Sequence, residues 1–173
     1  MTEIIPASPW IEGHCRRIAV GSRVLDLACG GGRHTRLLAG LGYRVLAVDR
    51  DLAALAGLSG MPGVETRGLD LETADWPLSG QRFAGVVVSN YLWRPHLPNL
   101  LACLAPGGVL IYETFMLGNE AYGKPSNPKF LLRPGELREM VKAAGLDEVA
   151  FAEGYADQPW PAMRQAIVAK RTI

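Results

Sequence analysis

Several things are scarce in this 173-residue sequence, and each scarcity excludes a class of protein. There are only three cysteines, Cys15, Cys29 and Cys103, spaced neither as a disulfide framework nor as paired metal ligands. A reduced, cytoplasmic protein without a bound metal is expected. Charge of one sign is also lacking: 18 basic residues face 17 acidic ones, so bulk electrostatics argue against nucleic acid as a partner. No apolar run reaches the roughly 18 residues of a membrane span, and the start, MTEIIPASPWIEGH, has no basic head followed by an apolar stretch. With 49% hydrophobic residues the chain can bury one core but not two, so residues 1–173 are expected to form a single domain.

What is present is an alternation. Short apolar, β-branched runs at Val24 to Ala28, Val45 to Val48, Val64 to Leu69, Phe83 to Ser89 and Val109 to Thr114 are separated by Gly-rich breaks and helical patterns. This predicts a parallel sheet with crossover helices on both faces. His34 to Leu41, Leu52 to Leu58 and Leu97 to Leu104 supply amphipathic helices, the third closed by Pro106-Gly107-Gly108. Trp10 to Val20 reads as a leading helix and Gly135 to Ala144 as another, with Pro134 in its first turn and Gly145 just beyond. The last two runs, Val149 to Tyr155 and Arg164 to Lys170, are joined by a connector too short for a crossover, so they are expected to pair antiparallel. The fold class is therefore α/β: a doubly wound, Rossmann-like, mostly parallel sheet whose last strand runs antiparallel.

The segment VLDLACGGGRHT, Val24 to Thr35, runs a buried strand into Gly30-Gly31-Gly32 and then a helix. Backbone there can approach a ligand over the strand's carboxyl end, where open α/β sheets bind. Counting from Gly30, the sixth position is Thr35, so the dinucleotide fingerprint of glycines at one, three and six is broken. Asp26, four residues before Gly30, favours a cationic ligand and would repel a pyrophosphate. Asp49 ends the next strand, placed to accept two ribose hydroxyls. Asp70 follows the third, placed to accept from an adenine amino group, with Leu71 packing on the ring. Any one of these acids is as easily a strand-end or helix-capping residue. Three at successive strand ends match one nucleoside ligand.

On these residues the sequence resembles the class I S-adenosylmethionine (SAM) dependent methyltransferases over most of its length, closest to the small bacterial methyltransferase-domain and tellurite-resistance-type group. Asp26, Gly30 and Gly32 fall on that family's first motif, Asp49 on its second and Asp70 on its third. Ser89-Asn90-Tyr91 and Leu104 to Phe115 look like its fourth and fifth. Ala28 stands where the family commonly has glycine. The resemblance implies a seven-stranded sheet, SAM as cofactor with S-adenosylhomocysteine (SAH) as product, and a cofactor site of Asp26, Ala28, Gly30, Gly32, Asp49, Arg50, Asp70, Leu71 and Asn90.

Methyl transfer is governed by positioning, so a dedicated base is optional. The segment after the fourth strand, Asn90 to His96, should border the methyl group. Tyr91 and Trp93 are candidate walls of an acceptor pocket, while Tyr91 and His96 are the candidate catalytic residues, with His96 able to take a proton. The competing reading makes Trp93 packing and His96 a cap of the helix at Leu97. The adenine-directed Asn-Pro-Pro-Tyr pattern is absent, since Leu92-Trp93 follow Tyr91. Gly118 to Leu132 reads either as a lid or as a pinned surface loop. Glu113, Asn119, Tyr122 and Phe130 are candidate acceptor contacts, and His34 reads as either solvated or facing the cofactor. The expectation is a methyltransferase acting on a small molecule. The alternatives are a SAM-binding subunit without catalysis, a dinucleotide enzyme, and a nucleic-acid methyltransferase.

Overall fold

The computed structural model of the chain describes residues 4–173; of the Met1 to His14 stretch read above, Met1, Thr2 and Glu3 lie outside it. The described residues form a seven-stranded sheet of order β3-β2-β1-β4-β5-β7-β6. Its strands are β1 (Arg23–Leu27), β2 (Arg44–Asp49), β3 (Val64–Gly68), β4 (Phe83–Ser89), β5 (Leu104–Phe115), β6 (Asp147–Ala156) and β7 (Ala162–Lys170). β7 alone runs against both its neighbours, β5 and β6, as expected of the last strand. Reversal places its first residues, around Arg164, at the same sheet edge as the carboxyl ends of β1, β4 and β5.

Continuous burial explains the continuous apolar runs. β1 and β4 are covered on both faces, so alternation would serve nothing. On one face α1 (Pro9–His14) and α2 (Arg33–Gly40) bury Ile11 and Leu38 against Val24, Val87, Ile111 and Val168. α3 (Leu52–Ala56) adds Leu55 against Ala47. On the other, α4 (Leu97–Ala102) and α5 (Glu136–Ala143) bury Leu100, Leu101, Leu137 and Val141 against Leu25, Val86, Leu110 and Ile167.

Four differences from the sequence reading go beyond shifts of a residue or two at element ends. The leading helix ends in a 3-10 turn, Cys15–Arg17, rather than at Val20. Residues 69–82 hold no helix, although the crossover rule called for one. The polar, proline-bearing stretch DLETADWPLSGQ instead hangs from Leu71 and Leu78, buried in the core, with an Asp70 carboxylate that accepts from the Glu72 N–H and favours a turn. Pro106-Gly107-Gly108 lies inside β5, where Gly107 and Gly108 exchange backbone bonds with Arg171. Pro134 precedes α5 rather than entering its first turn, because Gly135 at φ 71° is the N-cap.

Candidate active site

The site is built on the turn after β1. Ala28 takes φ 53°, Gly30 54° and Gly32 82°, so the chain reverses in left-handed steps before α2. At Gly32 a Cβ would lie 2.5 Å from a Leu58 methyl, which makes glycine obligatory there. At Gly30 and Gly31 a Cβ would meet nothing within 4 Å, so the loop's upper surface faces open space that a ligand can fill. Ala28 holds the same left-handed turn with a side chain that disfavours it by about 1 kcal/mol.

Asp49 ties the neighbouring loops together. One carboxylate oxygen accepts from the Gly30 N–H at 2.8 Å and the other from the Asp51 N–H at 2.9 Å. Each oxygen keeps a lone pair for a further donor such as a ribose hydroxyl. A cleft of about 460 Å³ opens above these loops. It is lined by Ala28, Asp49, Arg50, Asp70, Leu71 and Asn90 together with Leu69, Glu72, Tyr91, Leu92, Thr114, Phe115, Pro125 and Phe130. Of the sequence-derived cofactor residues, six therefore line this one cleft, and the open surfaces of Gly30 and Gly31 suit a nucleoside tail.

Asp26 does not line the cleft. It is 2% exposed beneath the loop, where Thr35 Oγ1 donates to it at 2.6 Å. Burial pushes its carboxyl pKa up to about 7, against the opposing pull of the Thr35 hydrogen bonds and of Arg33. Its part is to fasten the start of α2 under the glycine loop, not to touch a ligand.

The candidate acceptor residues scatter. Tyr91 lines the cleft, and its backbone carbonyl accepts from the Tyr112 hydroxyl at 2.6 Å. Burial, then the nearby Glu72 and Asp70 carboxylates, push its phenol pKa up, so it stays protonated and can donate but not act as a base. His96 is 8% exposed, with Nε2 2.6 Å from the Thr73 carbonyl and Nδ1 2.9 Å from the Asn99 amide. Nε2–H therefore donates to Thr73 while Nδ1 accepts from Asn99, and no lone pair is left for a substrate proton. Neither a base nor a side-chain cap, His96 pins residues 69–82 to α4. Trp93, half-buried, lines a smaller pocket with Trp76 and Leu100 and is not among the residues lining the cleft.

Asn119 is buried: its Oδ1 accepts from the Met163 N–H and its Nδ2 donates to the Pro125 carbonyl, which leaves it no contact for an acceptor. Tyr122 is half exposed and stacks on Tyr155, and of the loop candidates Phe130 alone lines the cleft. His34, neither solvated nor turned to a cofactor, accepts from the Ser8 N–H at 3.0 Å, and burial takes its pKa down to about 3.

Glu113 faces a different, side cleft of about 340 Å³ between Ser8 to Trp10 and the β6–β7 edge, which Arg164 also lines. Ser89 Oγ donates to Glu113 at 3.4 Å and Arg33 Nη2 reaches Ser89 Oγ at 3.3 Å. Sequence reasoning missed Arg164, which stands 74 positions from its hydrogen-bond partner Asn90. No local signal could have joined the two.

The glycine loop, the acidic wall and the sheet order define the class I SAM-dependent methyltransferase fold. Residues 24–108 match the methyltransferase domain family. The chain is 30% identical over 164 residues to the tRNA U34 carboxymethyltransferase of Methylococcus capsulatus, covering 83% of this chain and 50% of that protein. It is 29% identical over 166 residues to the ubiquinone biosynthesis O-methyltransferase of Burkholderia thailandensis, covering 81% of this chain and 70% of the relative. The crystal structure of TehB from Haemophilus influenzae superposes with a TM-score of 0.74 at 20% identity, over 93% of this chain and 61% of that one. This chain thus spans only about half the length of the tRNA-directed relative. In sequence the chain is thus similar to SAM-dependent methyltransferases over most of its length, and in fold it is similar to TehB.

Proposed function

We propose that this protein transfers a methyl group from SAM to a small-molecule acceptor held in the same cleft. The observation that carries this reading is the shared cleft: Asp49, Asp70 and Leu71, which suit a nucleoside, line the same cleft as Thr114, Phe115, Pro125 and Phe130, which suit a small acceptor. Balanced charge favours a small acceptor over RNA, although one relative is named for a tRNA substrate.

SAM, when bound, supplies an electrophilic methyl carbon. Asp49 would hold the ribose hydroxyls, Asp70 the adenine amino group and Leu71 the ring face. Thr114, Phe115, Pro125 and Phe130 would wall the acceptor, none of them a base near neutral pH. The chain's contribution there is placement of a nucleophile and exclusion of water. Tyr91, whose buried hydroxyl stays protonated and unpaired, serves as no proton acceptor.

Calorimetric titration with SAM, SAH and NAD tests this reading. Saturable binding of the first two without NAD is expected, and Asp49→Ala should weaken SAH binding by about 1.5–3 kcal/mol, the usual contribution of hydrogen bonds to a charged group. Binding of NAD alone, or an unchanged affinity in the variant, would overturn it.

A further inference from the structure

Arg164 is 5% exposed and only one of its guanidinium nitrogens, Nη1, is paired, donating to the Asn90 amide oxygen at 2.7 Å. Nε and Nη2 are buried and have no partner. The guanidinium is held in place by two aromatic rings, its carbon 4.6 Å from the centre of Phe115 and 5.1 Å from that of Trp160. A rigid, desolvated cation with two idle donors is costly unless something fills them. Those two nitrogens form the edge of the guanidinium that matches a carboxylate or phosphate through two parallel bonds.

The surroundings do not supply that partner. Arg33 stacks on the same Trp160 at 5.7 Å, so two cations share the cluster with one carboxylate, Glu113, and neither makes an ion pair with it within 4 Å. Of the other acids lining the side cleft, Glu153 is committed to the Gly135 N–H and the Gln165 amide, while Asp157 accepts from the Tyr155 hydroxyl. Asn90 and Phe115, the residues that touch Arg164, also form part of the main cleft's wall.

We propose that the side cleft seats an oxyanion of the methyl acceptor, a carboxylate or phosphate, on Nε and Nη2 of Arg164. The body of the acceptor then reaches past Asn90 and Phe115 toward the main cleft, and Glu113 accepts a hydrogen bond from a hydroxyl or amino group of the same molecule. The acceptor class is a small hydroxy- or amino-substituted acid or phosphate. This assignment rests on the methyltransferase reading above.

The test is a nitrogen-15 NMR titration of the SAH-saturated protein, following the Nε–H signal of Arg164 assigned from Arg164→Lys. Sodium benzoate and sodium phosphate are the anionic probes, and benzamide is the neutral counterpart. Benzoate or phosphate should move the signal saturably while benzamide leaves it in place. Arg164→Gln should lower anion affinity roughly ten- to hundredfold, as lost charged hydrogen bonds do, and leave SAH affinity within about twofold. A signal indifferent to both anions, or one that responds equally to benzamide, overturns the proposal. So does a tenfold loss of SAH affinity in Arg164→Gln, which would give Arg164 to the cofactor's own carboxylate. The wild-type titration decides the matter should the variant not fold. If SAH itself fails to bind, that failure belongs to the methyltransferase reading, and the anion titration of the free protein still tests Arg164.

Discussion

Two buried titratable side chains make this protein's stability depend on pH in opposite senses. Asp26, raised to about 7 by burial, is protonated in both states below the ordinary carboxyl value. As pH rises from about 4 to 7 the unfolded chain ionises while the folded one keeps its proton, so stability falls and then levels off. Asp26→Asn should remove that slope: urea unfolding is expected to show a gain of roughly 3 kcal/mol at pH 8 and little change at pH 4. Equal effects at both pH values would mean that Asp26 is ionised in the fold. His34, lowered to about 3, behaves the other way. Its contribution is complete above pH 6.5 and is lost as pH falls from there toward 3, because the unfolded ring gains a proton that the folded ring refuses. His34→Gln, which keeps an acceptor for the Ser8 N–H, should flatten the acid limb of the stability profile, while the Ser8 amide stays protected at pH 5 in wild type and variant alike because the folded ring is still neutral there.

Among the elements, the long connection between β5 and α5 is fastened at two points. Arg94 donates to the carbonyls of Lys129 and Leu131, each at 2.8 Å, and pairs with Glu136 at 2.6 Å. Burial would raise the Glu136 pKa, but Arg94 and the Arg133 N–H hold it below its ordinary value. Asn119 joins the other half of the loop to β7 through Met163. Of the two readings of Gly118 to Leu132, a lid or a pinned loop, these bonds favour the second, with Pro125 and Phe130 presented to the cleft from a fixed frame. Asn119→Ala leaves the Met163 N–H without its partner and should cost about 1–3 kcal/mol. Limited proteolysis should then cut within 118–127 faster than in wild type, with SAH affinity nearly unchanged. Unaltered cleavage would show that Arg94 alone secures the loop.

For the molecule as a whole, the cleft draws its walls from the ends of β1, β2, β3, β4 and β5. A ligand there braces every parallel strand of the sheet's central part. At a hundredfold excess over its dissociation constant, SAH should add about 2.7 kcal/mol to unfolding free energy by mass action. Asp49→Ala at the same SAH concentration should show a smaller gain, read as a reduced rise in thermal midpoint. An equal rise would separate Asp49 from the ligand.

By itself the sequence determined the layered α/β architecture, the reversed last strand and many of the residues that line the cleft. Those features are written in short-range patterns: continuous apolar runs, a glycine loop after the first strand, and acids at successive strand ends. Parallel strands in register carry their carboxyl ends to one edge, so Asp49, Asp70 and Leu71 converge wherever the pattern is obeyed. Tertiary structure decided the rest. Whether His96 held a free lone pair depended on Thr73 and Asn99, and whether Asn119 faced a ligand depended on Met163. The pairing of Arg164 with Asn90 exists because β7 inserts beside β5 from the far end of the chain, bringing a cation into a cluster that neither segment's local sequence describes. A side chain's partners are set by packing across the sheet, and that is information no single stretch of residues contains.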